Sequence, residues 1–257
     1  MRALVLLVAI AVLPVGGAVH ASDLEKEQRW ADQIVDSLLD GEAVYLNDGR
    51  SEFLAIETES AVGASGKAAV VMHGTGVHPD WPAVVQPLRV ALTESGWHTL
   101  SIQMPVLAND AEHAAYAAIY DEVPGRIAVA VAHLREKGFE KVVLIAHSQG
   151  TIMTVYSLTG QQPVTVDGFV AIGMSGGIAG GPMDTLSQLP NLPIPTLDLY
   201  GSEDLPEVLS SAPARKSAAA RAGVDYSQQQ VAGADHFFDG EESEMLDAVN
   251  AWLDARY

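Results

Sequence analysis

From Lys67 onward the chain alternates short apolar runs with stretches of helical spacing, and this alternation constrains its fold more than any other property. "KAAVVMHG" (67–74), "WHTLSIQMP" (97–105), "KVVLIAHS" (141–148), "VDGFVAIGM" (166–174), "IPTLDLYG" (194–201) and "VDYSQQQVAG" (224–233) read as strands. Between them, "DWPAVVQPLRVALTESG", "RIAVAVAHLREKG", the segment from Thr151 through Leu158 and "PEVLSSAPARKSAAARAG" carry helical spacing, and "EESEMLDAVNAWLDARY" closes the chain as an amphipathic helix. Strands that are apolar throughout are buried on both faces. The pattern therefore predicts an α/β fold with a mostly parallel sheet covered by helices on each side.

The segments before Lys67 differ. "DLEKEQRWADQIVDSLLD" (23–40) spaces Trp30, Ile34, Leu38 and Leu39 as a helix would. "AVYLND" and "EFLAIETES" predict two strands joined by Asn47-Asp48-Gly49, an antiparallel hairpin at the start of the sheet. Residues 106–125 are irregular, and "GGIAGGPMDTLSQLPNLP" (176–193) reads as a loop or lid. No repeat and no linker divides the chain, so residues 22–257 are expected to form a single domain.

The first 22 residues, "MRALVLLVAIAVLPVGGAVHAS", carry one cation, Arg2, and then an apolar run broken by Pro14 and Gly16-Gly17. That run is shorter than the ~20 residues a membrane-spanning helix needs. Val19-His20-Ala21 suits a signal peptidase, so residues 1–21 read as a removed signal peptide, with cleavage before Ser22 and delivery to the periplasm or exterior of a bacterium. There is no cysteine, which excludes disulfides, thiolate catalysis and a lipoprotein anchor. The chain bears 14 Lys+Arg against 33 Asp+Glu, a net charge of -19. Removing Arg2 with the signal leaves 13 − 33 = −20. Such a surface repels nucleic acid and anionic headgroups, so neither nucleic acid nor a stable membrane anchor is expected. Protein partners are not legible.

Chemistry in an open parallel sheet collects at the carboxyl ends of the strands, and three of those ends carry reactive residues. Ser148 lies in "AHSQG", between a strand and a helix, with the small residues Ala146 and Gly150 two positions either side, the requirement of a nucleophile on a tight corner. Asp204 lies in "GSEDLP", past a strand; Glu203 and Asp198 are rivals, Asp198 the weaker because it falls within the strand. His236 lies in "GADHFF" after the last strand, next to Asp235, whose side chain need not pair with it. Serine attacks only when a base takes its proton, and a buried acid must orient that base. The order Ser148, Asp204, His236 satisfies this chemistry. "MHGTGVHPDWP" (72–82) adds a His-Gly turn at a fourth strand end. Backbone N–H groups of Thr75 and Gln149 are assigned as an oxyanion hole, with Gly74 and Gly76 allowing close backbone approach and His73 orienting the loop.

"HGTGVHPDWP", "AHSQGT" and "GADHFF" together resemble the α/β-hydrolase superfamily from about residue 66 to the end, and more narrowly a bacterial family of secreted hydrolase-like proteins of unknown function. The resemblance implies a serine hydrolase with Ser148 as nucleophile, His236 as base and Asp204 as orienting acid. Ala146 replaces the glycine usual at its position. No cofactor is implied. His73, His78 and Asp80 could be drawn as metal ligands but lack a helical H-E-x-x-H spacing, and Gly74-Thr75-Gly76 lacks a nucleotide fingerprint; no metal is expected. The expected substrate is a neutral ester of short or medium acyl chain. Its pocket is expected to be walled by residues 106–125 and 176–191, with Val106, Leu107, Tyr116, Ile119, Tyr120, Ile178, Met183 and Leu186 as apolar lining. A non-catalytic binding protein on the same fold is the alternative.

Overall fold

A computed structural model describes residues 22–63 and 65–257; the expected signal segment, 1–21, lies outside the described residues. One eight-stranded sheet organises the chain, in the order β1-β2-β4-β3-β5-β6-β7-β8. Its strands are β1 (Glu42–Asn47), β2 (Glu52–Thr58), β3 (Lys67–Met72), β4 (His98–Ile102), β5 (Lys141–His147), β6 (Gly168–Ile172), β7 (Thr196–Gly201) and β8 (Tyr226–Val231). β1 and β2 form the expected antiparallel hairpin, and β2 runs antiparallel to β4. All later pairings are parallel. At the hairpin turn, the Asp48 carboxylate accepts from the N–H groups of Arg50 and Ser51, both at 2.8 Å.

The central strands are apolar throughout because helices cover both faces. Ala68, Val70, Met72, Leu144 and Ala146 point to one side, against α3 (Val123–Glu136) and α4 (Gln149–Thr159). Ala69, Val71, Val143 and Ile145 point to the other, against α2 (Val85–Glu94) and α7 (Glu242–Asp254). This is the period-two alternation of a pleated strand with both sides buried. The first helix, α1 (Leu24–Ser37), lays Ala31 and Ile34 on Leu54 and Ile56 of β2. It ends before Leu39, which is 94% exposed rather than part of the apolar stripe.

Two irregular segments hold more structure than their sequence suggests. Residues His113–Glu122 form a 3-10 helix whose Tyr116, Ile119 and Tyr120 are buried. The 176–193 segment contains a short helix, α5 (Thr185–Gln188), and a 3-10 turn, Leu189–Asn191. The long α6 (Pro206–Ala222) follows β7.

Candidate active site

The carboxyl ends of β3, β5, β6, β7 and β8 converge on Ser148. β5 ends at His147 and α4 begins at Gln149, leaving Ser148 alone between them at φ 55°, ψ −126°. A non-glycine residue pays about 1–3 kcal/mol for such a conformation, so its surroundings must enforce it. The Ser148 N–H donates to the Ile172 carbonyl at 2.8 Å, and the Ser148 carbonyl accepts from the Thr151 N–H at 2.9 Å. Glycine provides the remaining room. A Cβ on Gly150 would lie 2.5 Å from the His73 carbonyl oxygen, and one on Gly74 would lie 2.8 Å from the Ser148 Cβ. Gly76 differs from the expectation: nothing lies within 4 Å of an added Cβ, and its φ of +70° is the reason for glycine there. Ala146 is buried in the core of β5, where its methyl is accommodated.

His236 Nε2 lies 2.9 Å from Ser148 Oγ, and His236 Nδ1 lies 2.6 Å from Asp204 Oδ1. A carboxylate only accepts, so Nδ1 carries the proton and Nε2 is left to accept from the serine hydroxyl. Asp204 is buried and held by the N–H of Leu205, at 2.7 Å, and that of Gly201, at 3.3 Å. Its rivals stand elsewhere. Glu203 is exposed. Asp198 is locked beneath the sheet end by Arg215 Nε at 2.9 Å, Tyr226 Oη at 2.5 Å and Gln228 Nε2 at 2.8 Å. Asp235 accepts from the N–H of Phe237 and turns its own loop.

The His73 loop is tied down by its imidazole. Met104 N–H donates to His73 Nε2 at 2.9 Å, so Nδ1 carries the proton and donates to the Gly74 carbonyl at 2.8 Å. Burial pushes this ring down to about 3, so it is neutral. Gln149, the first residue of α4, has an N–H without an intrahelical acceptor and lines the cavity at Ser148. Thr75 sits on the exposed turn beyond Gly74, outside that wall. His78 lies edge-on between the rings of Trp30 and Trp81, and Asp80 pairs with Arg89 at 2.5 Å.

His147 was not singled out from the sequence. It is buried beside the serine, with its ring centroid 4.8 Å from that of His236 and its Nε2–H donating to the His236 carbonyl at 2.9 Å. Burial, then the nearby His236, pushes it down to about 4, so it too is neutral. Its one sequence signal was its place directly before Ser148. Gly173, at the end of β6, was also missed: a Cβ there would meet His236 Cε1 at 2.9 Å.

A cavity of about 260 Å³ opens on Ser148 and His236. Its apolar wall is Ile152, Ile178, Leu205 and Val208; besides His236, its ionisable side chains are His113 and Glu207. His113 comes from the expected segment 106–125, and Gly177 and Ile178 from 176–191, but the expected apolar lining is corrected. Of the eight apolar residues named for them, Ile178 alone lines the cavity, while Val106, Tyr116, Ile119, Tyr120 and Met183 are buried. The 3-10 helix turns its aromatics inward, and α6, on the far side of Asp204, supplies Val208 and Glu207 instead.

The fold is the α/β-hydrolase fold. It is shared with a dienelactone hydrolase from Anabaena variabilis, 20% identical with a TM-score of 0.67 over 84% of this chain and 97% of that one. Est1E from Butyrivibrio proteoclasticus is 12% identical, with a TM-score of 0.65 over 83% of this chain and 98% of its own. An alpha-beta serine hydrolase homologue from Coxiella burnetii is 17% identical, with a TM-score of 0.64 over 84% and 99%. At these identities the likeness is one of fold. No curated protein matches the chain in sequence. A family model matches it over residues 14–124 and 108–255, nearly end to end, and the chain therefore belongs to the family described as a protein of unknown function, DUF3530.

Proposed function

We propose that this protein is an exported serine hydrolase that cleaves neutral carboxylic esters of short or medium acyl chain. The observation that carries the reading is the hydrogen-bonded series Ser148–His236–Asp204 on a strained corner, facing an open cavity. His236 Nε2 takes the Ser148 proton as Oγ attacks the ester carbonyl. Asp204 holds the ring in the required tautomer and stabilises the imidazolium. The N–H of Gln149, which lines the cavity, receives the developing oxyanion, with the N–H of Thr75 as the second donor of this reading. His236 then protonates the leaving alcohol, and a water attacks the acyl-serine by the same base. No metal or cofactor takes part.

The cavity favours an uncharged acyl group. Ile178 and Leu205 line it and are 41% and 39% exposed, and Phe237 beside His236 is 40% exposed, so the mouth is apolar. Glu207 disfavours anionic substrates. The names of the neighbours on this fold, a dienelactone hydrolase and a serine hydrolase homologue, accord with hydrolysis. Export follows the reading of residues 1–21; among the described residues no helix is long and apolar enough to cross a membrane. Nucleic acid is not a partner on this reading.

A fluorophosphonate probe tests the nucleophile. It is expected to label Ser148, and Ser148→Ala is expected to abolish both labelling and turnover of aryl esters. Absence of labelling and of turnover in the wild-type protein would overturn the reading in favour of a binding protein. Preference for a dicarboxylate monoester would overturn the substrate class alone.

A further inference from the structure

Ser22, the first residue after the expected signal, is not a loose end. It is 7% exposed, and both of its donors bind one carboxylate: the N–H donates to Glu122 Oε1 at 3.0 Å and Oγ donates to Glu122 Oε2 at 2.8 Å. The next residue continues the docking, with Asp23 N–H on the Val106 carbonyl at 2.7 Å. Asp23 then caps α1 by accepting from Lys26 N–H at 2.9 Å.

The corner around Glu122 is short of positive charge. Glu122 itself is 9% exposed, and Glu27 (5%) and the side chain of Asp48 (1%) are buried nearby. Among the described residues the one cation paired with any of these three carboxylates is Arg126, 2.8 Å from Glu27 and 3.9 Å from Asp48. Arg50 feels Glu122 and Asp48 through space, but it is spread on the surface and pairs with Asp121. Lys26 turns away to the Leu107 carbonyl. Among the described residues no Lys, Arg or His side chain pairs with Glu122. Burial pushes the Glu27 carboxyl up, and Glu122 is a lesser contributor in the same direction. A buried carboxylate without a cation is costly.

We propose that the mature chain begins at Ser22 and that its new α-ammonium group is the missing cation, ion-paired with Glu122. The inference rests on the export reading above. A signal peptidase adds water across the Ala21–Ser22 amide; Ala21 leaves with the carboxylate, and Ser22 keeps the amine, which takes up a proton below its usual value of about 8. One neutral N–H donor becomes a charged group with three donors at the same place, and a bond that is charge-assisted only through the carboxylate becomes an ion pair. Processing thus anchors α1 to the 3-10 helix as it frees the protein. The carboxylate raises the amine above its free value. With Glu122 ionised, the stabilisation is therefore complete below pH ~8 and is lost as pH rises through the folded value of the amine.

The test begins with the full chain expressed with its leader in a bacterium; mass spectrometry of the exported product is expected to give Ser22 as the first residue. Three forms released from a cleavable fusion then test the pair whatever the export result: one beginning at Ser22, one enzymatically acetylated there, and one with an alanine added in front. At pH 7 the acetylated and extended forms are expected to melt roughly 5–10 °C below the first. The gap is expected to close at alkaline pH and to vanish when all three carry Glu122→Gln. An exported chain beginning elsewhere overturns the cleavage site. Equal melting of the three forms, or a gap that survives Glu122→Gln, overturns the ion pair. Should Glu122→Gln not fold, a gap unchanged up to pH 10 overturns it alone. Fluorophosphonate labelling of the same samples separates either failure from a failure of the hydrolase reading.

Discussion

Gly150→Ala places one methyl group between α4 and the end of β3, and the structure sets the size of the consequence. The added carbon would lie 2.5 Å from the His73 carbonyl oxygen and 3.2 Å from both the His73 carbonyl carbon and the Met72 carbonyl oxygen. All three are backbone atoms, so no rotamer change relieves the overlap. An ordinary contact is ~3.5 Å, and the corner must therefore open by roughly 1 Å. Overpacking of this kind costs about 1–3 kcal/mol, offset by about 1 kcal/mol from the better helix propensity of alanine. The net loss of up to about 2 kcal/mol lowers Tm by up to roughly 8 °C. Rate is the sharper readout, since helix propensity does not restore it. Gly74 touches the serine through the same loop, and a 1 Å misplacement of reacting groups costs about a hundred-fold. Initial rates on an aryl ester, fluorophosphonate labelling rates and thermal melts would be compared with Gly160→Ala, whose Cβ meets nothing closer than 3.4 Å. If Gly150→Ala labels and turns over as the control does, the packing account of the corner is wrong.

Other substitutions probe the remaining parts. Asp204→Asn is expected to lower kcat by about ten-thousand-fold with Tm little changed, measured on the same ester; a loss under ten-fold would remove Asp204 from its assigned role. His147→Phe keeps a ring but strands the buried His236 carbonyl, so stability should fall by about 1–3 kcal/mol in urea titrations, with kcat falling more than KM rises; unchanged stability would mean the 2.9 Å bond is of no consequence. Glu207→Gln is expected to raise the relative kcat/KM for an anionic monoester several-fold while leaving the neutral ester unaffected, and an unmoved ratio would show that the carboxylate does not reach the substrate. At the other end of the sheet, burial pushes the Glu57 carboxyl up, but hydrogen bonds from His98, Lys137 and His133 outweigh it and hold it down at about 2. Its folded value lies below its ordinary 4.5, so it stabilises the protein above that pH, and this contribution is lost as pH falls toward 2. Glu57→Gln should flatten the acid limb of a Tm-against-pH curve between those values, and an unaltered limb would refute the assignment.

Much of this was legible in local pattern. Apolar runs such as 67–72 and 141–147 announced strands buried on both faces, and Asn47-Asp48-Gly49 announced the hairpin, because backbone period and turn chemistry act over a few residues. Ser148 was legible for the same reason: the small residues that let a chain turn sharply must flank it in sequence. Distances across the fold left no such mark. Whether Asp204, Glu203 or Asp198 faces His236 depends on how β7 runs out, and Asp198 was removed from contention by Arg215, Tyr226 and Gln228, 17 to 30 residues away. The apolar lining of the cavity is not legible in irregular chain: Tyr116, Ile119 and Tyr120 could as well line a pocket as fill a core, and only the turn of the 3-10 helix chooses between them. His147 gained its part from a carbonyl 89 residues later, and Ser22 from a carboxylate 100 residues later. Local sequence sets what each segment can form, since short-range sterics and hydrogen bonds suffice for that. Which side chains meet is set by the packing of whole elements, whose contacts no neighbouring residue encodes.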